Sequence, residues 1–479
     1  MSCAGIYPHN LEIKYIDIDK KGAEKLGLLT LLNTANKTAQ VFKSIGGVVL
    51  AIVILLAMVT IHEFGHYVAG KLLGFKINEF AVGFGPAIFK KRSKKTGELF
   101  ALRAIPLGGF CAFDGEDEED EEDKDEENGE NANGENSDKT DTNEPFAELS
   151  NIDAESVNEP TMSAMNDENT AKTDENDGGE YPEPKGERFN NQPPWKRIIV
   201  LLAGATMNYL LALVLIMIMF TGLGRPMYQV VKHVPGENPH ENALITYETP
   251  LQTGDILLQI NGKNLYLVTD FVDALDGKKQ GEIVEVVVLR DGKEQTLQVP
   301  LYEDANMQSI SNSSEVLFLL GIAARAEVTD ENGQTSMKVV RSGGFNAVEV
   351  KGGFFQTIGH AFVYSWKIGG TVLRSVGELL TGKLGIDAMG GPITTIQVTS
   401  QAATNGLASF LNIASFIGVN LAVFNLLPIP ALDGCKTIFC IIEWIRKKPV
   451  NRKVEAIIHF VGIIFLFGFA ILVDLLRLF

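Results

Sequence analysis

The sequence predicts a polytopic α-helical membrane protein with four transmembrane helices. Three observations point there. Four apolar stretches approach or exceed the roughly 20 residues that a helix needs to cross a bilayer. The charge is segregated: of the formal net charge of −18 on 479 residues, segment 114–188 carries 29 Asp and Glu against 5 Lys and Arg, which leaves the rest of the chain at +6. Lys and Arg also cluster beside the apolar stretches rather than inside them. This distribution excludes a strongly acidic globular enzyme. It equally excludes a nucleic-acid binder, which would need a basic face. The four cysteines (Cys3, Cys111, Cys435 and Cys440) make neither a disulfide framework nor a zinc knuckle.

Residues 1–43 form an N-terminal extension. The first span, 44–73, has Glu63 as its sole carboxylate before Gly70. It starts too late for a signal peptide and has no small-residue cleavage pattern behind it. The second span, 195–224, is uncharged from Ile198 onward. The third, 405–434, lies in a stretch without charge from Ala388 to Leu432. The fourth, 455–478, is interrupted only by His459 between Ala456 and Val473. Uncharged runs of this length favour spans over buried helices of a soluble protein.

Basic residues mark the cytoplasmic side. Lys90, Lys91, Arg92, Lys94 and Lys95 follow the first span, Lys196 and Arg197 precede the second, and Arg446, Lys447, Lys448, Arg452 and Lys453 separate the third from the fourth. Alternation then puts the segment between the second and third spans outside, together with both termini; Lys37 and Lys43 oppose this but are outnumbered. Segment 114–188 is too rich in Glu, Asp, Asn and Gly to bury a core and is expected to be a disordered cytoplasmic loop.

The chemistry sits in the first span, at His62-Glu63-Phe64-Gly65-His66. Residues i and i+4 share a helix face, so the two imidazoles converge. A Zn²⁺ ion held by two His needs a third protein ligand and keeps a position for water, and Glu63 stands beside them to take a proton from that water. Polar groups are expensive inside a bilayer, so these three mark function. Asp433 is the candidate third ligand: it ends the long uncharged stretch, in Asn425-Leu426-Leu427-Pro428-Ile429-Pro430-Ala431-Leu432-Asp433-Gly434, whose prolines break the helix and free backbone groups for a site. A divalent-cation transporter would also place His and Asp in its spans. The inverted repeats expected of many transporters are not visible, and Glu63 would then have no hydrolytic task.

These two motifs together resemble those of the site-2 protease family of intramembrane zinc metalloproteases, most of all its bacterial regulator-of-sigma-E protease type with a single PDZ domain. Further segments carry the resemblance. Gly83-Phe84-Gly85-Pro86 and Ile105-Pro106-Leu107-Gly108-Gly109-Phe110 look like the family's membrane-reentrant β-hairpin (75–113). Asn190, Gln192, Pro193, Trp195, Lys196 and Arg197 look like its approach to the second span. Gly204-Ala205-Thr206-Met207-Asn208 matches its second-span motif, and Gly391-Pro392 a signature before the third. Thr253-Gly254-Asp255-Ile256-Leu257-Leu258-Gln259-Ile260-Asn261-Gly262 resembles the core of a PDZ domain (228–302), although His240–Pro250 departs from the family's compact approach to it. The fold implied is four transmembrane helices with a membrane-reentrant β-hairpin and an extracellular PDZ-like α+β domain.

The resemblance implies Zn²⁺ held by His62, His66 and Asp433, with Glu63 as general base. The reaction implied is hydrolysis of peptide bonds in or near a transmembrane segment of single-pass membrane proteins, of the anti-sigma-factor or remnant-signal-peptide type. An upstream site-1-type protease would trim them first, in a bacterial plasma membrane. The hairpin, with Gly108 and Gly109, offers strand edges for an unwound substrate. Asn425 and Asn208 would bind substrate backbone or a developing oxyanion, or else hold the helices together. Residues 353–382, with Phe354, Ile358, Phe362 and Trp366 at helical spacing, form an amphipathic helix, either at the outer interface or packed in a core.

Overall fold

The computed structural model describes residues 20–116, 181–232, 248–302, 313–329, 335–340, 344–385 and 389–478. Residues 1–19, most of the acidic segment (117–180) and part of the expected PDZ-like region (233–247) lie outside the described residues.

Helix α1 (Lys20–Leu73) is 54 residues long. Its portion from Lys43, α2 (Pro194–Gly222), α7 (Leu407–Leu426) and α9 (Arg452–Leu478) supply four stretches long and apolar enough to cross a membrane. The chain is thus a polytopic helical protein, with a sheet-containing domain between α2 and the later helices. Gly74, in the left-handed region at φ 81°, ends α1, a position where a side chain would be strained. The approach to α2 then caps that end: Gln192 Nε2 donates to the Gly74 carbonyl at 3.1 Å and Lys196 Nζ to that of Leu73 at 3.2 Å. Arg197, buried, pairs with Glu443 of the following short helix α8 (Asp433–Arg446).

Between α1 and α2 lie β1 (Ile77–Arg92) and β2 (Leu99–Phe113). They do not form a flat ladder. Gly83, Gly85 and Gly108 have positive φ, and the strands bend there, so that residues 79–82 of β1 pair with 109–112 of β2 and also with 99–102. The turn is pinned to α1: the buried Glu98 accepts from Tyr67 Oη and Thr96 Oγ1, each at 3.0 Å, and pairs with Lys71. At the base, Lys76 Nζ lies 2.8 Å from Asp114 and holds that carboxyl below its ordinary range.

After α2, β3 (Arg225–Val231), β4 (Ile256–Ile260), β5 (Lys263–Asn264), α3 (Thr269–Ala274), β6 (Ile283–Arg290) and β7 (Lys293–Pro300) enclose one apolar core with α4 (Ser313–Leu319). A small hairpin, β8 (Ala324–Thr329) with β9 (Thr335–Val340), follows. This PDZ-like domain extends beyond 302, because β10 (Gly344–Val350) returns antiparallel along all of β3 and makes the sheet order β10-β3-β4-β6-β7. Phe345 of β10 stacks on Phe271 with ring centroids 4.7 Å apart. Such a long-range pairing is invisible to local periodicity.

Helix α5 (Phe354–Leu380) carries the predicted amphipathic pattern. Phe354, Phe362 and Trp366 are exposed, while Ala361, Tyr364, Ile368 and Val372 pack in a second core with α2 and α7. The aromatic stripe is therefore a surface and not a core. Lys367 Nζ reaches Asp270 at 2.5 Å, and Tyr266 Oη lies 2.6 Å from His360 Nδ1, so α5 is latched to the domain.

The stretch without charge from Ala388 to Leu432 is more broken than a single span: α6 (Pro392–Asn405) is separated from α7 by Gly406, and α7 ends at Leu426. Gly391 precedes α6 and has no side chain to cap it. Asp474 of α9 does so instead, accepting from Ile393 N at 2.9 Å, Thr394 N at 3.2 Å and Thr394 Oγ1 at 2.9 Å. A methyl on Gly391 would lie 2.6 Å from Asp474 Oδ2, which accounts for the glycine. Removing this cap with Asp474→Ala is expected to lower stability by about 2 kcal/mol, read as a lower unfolding midpoint in detergent. An unchanged midpoint would show that the cap contributes nothing.

Candidate metal centre

His62 and His66 lie one turn apart on α1, their rings nearly perpendicular with centroids 4.8 Å apart. Asp433 comes from the other side, as the first residue of α8. His62 Nε2 lies 3.0 Å from Asp433 Oδ2, His66 Nε2 lies 3.4 Å from it, and the two Nε2 atoms are 3.2 Å apart. Among the described residues this is the one group of three or more His, Cys, Asp or Glu donors close enough to share an ion.

The donors fit zinc. His66 Nδ1 donates to the Val200 carbonyl at 2.8 Å, so in the neutral ring its Nε2 is a bare lone pair. Asp433 Oδ2 is buried with no hydrogen-bond donor. Three lone pairs facing one another repel unless a cation lies between them. A tetrahedral zinc with Zn–N of 2.0–2.1 Å spaces its ligands about 3.4 Å apart, which matches the edges of this triangle.

Both asparagines singled out in the sequence flank the same ring. Asn208 on α2 and Asn425 near the end of α7 each place Nδ2 3.4 Å from His62 Nδ1. With Nε2 as ligand, His62 carries its proton on Nδ1 and needs an acceptor. The Asn208 Oδ1 is buried without a donor, and turning that amide over supplies it. Both amides thus lie within reach of the His62 ring, where the sequence reading placed a substrate contact or a helix pairing.

Three glycines let the elements approach. Gly65 faces α2, where a methyl would lie 2.9 Å from Gly204 Cα. A methyl on Gly204 would lie 2.7 Å from both His62 Cε1 and His66 Cε1. Gly204 was legible as part of a motif, yet its contact with the imidazoles was not. Gly434 lies so close to the end of α7 that a methyl would be 2.6 Å from the Leu426 carbonyl carbon, and this lets Asp433 turn back toward α1.

Glu63, half-buried and outside the donor triangle, lies against β2: a methyl on Gly109 would be 3.4 Å from Glu63 Cγ and 2.8 Å from the Ala81 carbonyl oxygen. Gly108 serves the strand itself, since a side chain there would run into the Phe84 ring. The curled sheet thus passes beside the Glu63 side chain at Gly109. His459 touches the loop before Asp433, and Asp474 caps α6. Each was visible only as a polar residue in an apolar run.

The profile of peptidase family M50 matches residues 50–469. The chain is 30% identical over 457 residues to the regulator of sigma-W protease RasP of Bacillus subtilis, covering 90% of this chain and 99% of that protein. It is 29% identical over 458 residues to the zinc metalloprotease RasP of Bacillus licheniformis, with the same coverage. It is also 28% identical over 443 residues to a putative zinc metalloprotease of Staphylococcus aureus, covering 88% of this chain and 95% of that one. A match over most of the chain, together with a zinc-compatible donor set drawn from α1 and α8, leads to one assignment: the chain belongs to peptidase family M50, the site-2 proteases, and is a zinc metalloendopeptidase.

Proposed function

We propose that this metalloprotease hydrolyses peptide bonds in or beside a transmembrane segment of pre-trimmed single-pass membrane proteins. His62, His66 and Asp433 would hold the zinc, with Glu63 as general base. The observation that carries this reading is the triangle of donors 3.0–3.4 Å on its edges, drawn from two elements, with Glu63 beside it in an otherwise apolar helix.

Zinc, when bound, supplies Lewis-acid polarisation and makes water acidic enough to be deprotonated near neutral pH. The chain's own residues do the rest. The Glu63 carboxylate takes the proton from the attacking water and returns it to the leaving amine as the C–N bond breaks. His66, oriented by the Val200 carbonyl, and His62, oriented by Asn208 and Asn425, keep their Nε2 atoms aimed at the centre. A helical substrate hides its carbonyls in hydrogen bonds, so it must first unwind. The curled sheet passes Gly109 beside Glu63, and its strand edges suit an extended peptide. Irregular backbone of this kind is tolerated at membrane depth where it lines a protein cavity, which supports the reentrant reading.

The basic loops favour a cytoplasmic hairpin and acidic segment in a bacterial plasma membrane, with the PDZ-like domain outside as a gate against substrates that an upstream site-1-type protease has not trimmed. The aromatic stripe of α5 would lie in the outer interface. A relative named for regulating sigma-W supports an anti-sigma factor as the substrate class.

The test is reconstitution of the full chain in liposomes with a tagged, pre-trimmed single-span protein, followed by mass-spectrometric mapping of the products. A cut inside or within a few residues of the span is expected. No cleavage, with zinc uptake into the vesicles that His62→Ala abolishes, would sink the proposal in favour of a cation transporter.

A further inference from the structure

We infer that His459, in the last span, is a positioning residue for Asp433. The inference rests on Asp433 being a zinc ligand. Asp433 approaches the histidines from a segment that is not helical: α7 ends at Leu426 and α8 begins at Asp433 itself. Its placement therefore depends on what holds residues 427–432. Within that segment Ile429 N donates to the Leu427 carbonyl at 2.8 Å and Leu432 N to that of Ile429 at 3.1 Å. Ala431, between them and two residues before Asp433, has a positive φ of 78°, a conformation that a residue with a Cβ adopts only when its surroundings impose it.

The surroundings here are α9. The Ala431 N–H donates to His459 Nδ1 at 3.1 Å. One turn along the same face, Gly462 lies against Pro430, where a methyl would be 2.7 Å from the Pro430 carbonyl carbon and 2.8 Å from its oxygen. The His459 ring also meets Phe439 of α8 edge-on, centroids 6.0 Å apart. The last helix thus grips the loop at two consecutive residues, by an acceptor at His459 and by close approach at Gly462. An amide at that depth without an acceptor is costly, so losing Nδ1 should let Ala431 relax toward ordinary φ and swing Asp433 off the two Nε2 atoms. His459 lies outside the donor triangle and acts through the backbone of Ala431.

The experiment compares the purified full chain with His459→Asn, His459→Gln, His459→Leu and Asp433→Ala. Zinc affinity is read by competition with a chromophoric chelator, and folding by the thermal midpoint. Asn places its Oδ1 where Nδ1 stands; Gln places it one bond further out; Leu has no acceptor. We expect His459→Leu and His459→Gln to weaken zinc by about tenfold or more and His459→Asn to restore it, an order that packing alone does not produce. If His459→Leu fails to fold, the Asn–Gln pair decides. Equal zinc affinity in the Asn and Gln variants overturns the inference. Wild-type affinity in all three His459 variants, with zinc lost in Asp433→Ala, overturns the positioning role alone. Undiminished zinc binding in Asp433→Ala overturns the ligand reading and the inference with it.

Discussion

Glu63→Gln is expected to abolish cleavage while leaving zinc in place. Glutamine keeps the size of the side chain and its fit against Gly109, where a methyl would already lie 3.4 Å from Cγ, so the curled sheet is not disturbed. Glu63 is outside the donor triangle of His62, His66 and Asp433, so affinity for the metal is retained. What is lost is a group that can take a proton. General base catalysis contributes about 10²–10⁴ in rate, or roughly 3–5 kcal/mol of barrier, and a fall of at least 10²-fold is the expected result. The measurement is single-turnover cleavage of a tagged single-span substrate at equal zinc occupancy. A loss smaller than about tenfold would mean that another group takes the proton.

Gly204→Ala should remove zinc altogether, although residue 204 carries no chemistry. The added methyl would lie 2.7 Å from Cε1 of both His62 and His66, where neither flexible tips nor open space can absorb it. The helices are also closely apposed here, since a methyl on Gly65 across the crossing would be 2.9 Å from Gly204 Cα, so moving them apart would break their packing. Both imidazoles must therefore turn away. Disturbing groups that merely orient ligands costs about 10–100-fold in metal affinity. Displacing two ligands should exceed the upper end of that range. Gly222→Ala on the same helix meets nothing within 4 Å and is the control, with an expected change below about 0.5 kcal/mol in stability. Stoichiometric, wild-type zinc binding in Gly204→Ala would contradict the geometry.

Much of the site was legible before any coordinates because the membrane makes polar residues conspicuous. His62, Glu63, His66 and Asp433 stand out in runs of Val, Ile, Leu and Ala, and Asn208 and Asn425 stand out for the same reason. The same logic failed for His459 and Asp474. Each is conspicuous, but its partner is a backbone amide far along the chain, at Ala431 and Ile393, and backbone groups leave no mark in a sequence. The third apolar stretch differs in kind: its prolines mark the end of α7 at Leu426, whereas the separate helix α6 before Gly406 leaves no mark. Absence of charge reports that a stretch tolerates lipid, not where its helices stop.

The sequence by itself determined the number of candidate spans, the segregation of acidity into one segment, the family and the three side chains that meet as a candidate metal centre. Those follow from local composition and short spacings, which the solvent reads residue by residue. Tertiary structure alone decided that β10 closes the PDZ-like sheet beside β3, that the hairpin curls so that Gly109 meets Glu63, and that two asparagines share the ring of His62. It also decided that the last helix holds the loop that carries Asp433. These are contacts between groups distant in the chain, set by close approach at glycines and by hydrogen bonds of the backbone. Their energies depend on where other elements come to rest, so no window of sequence contains them.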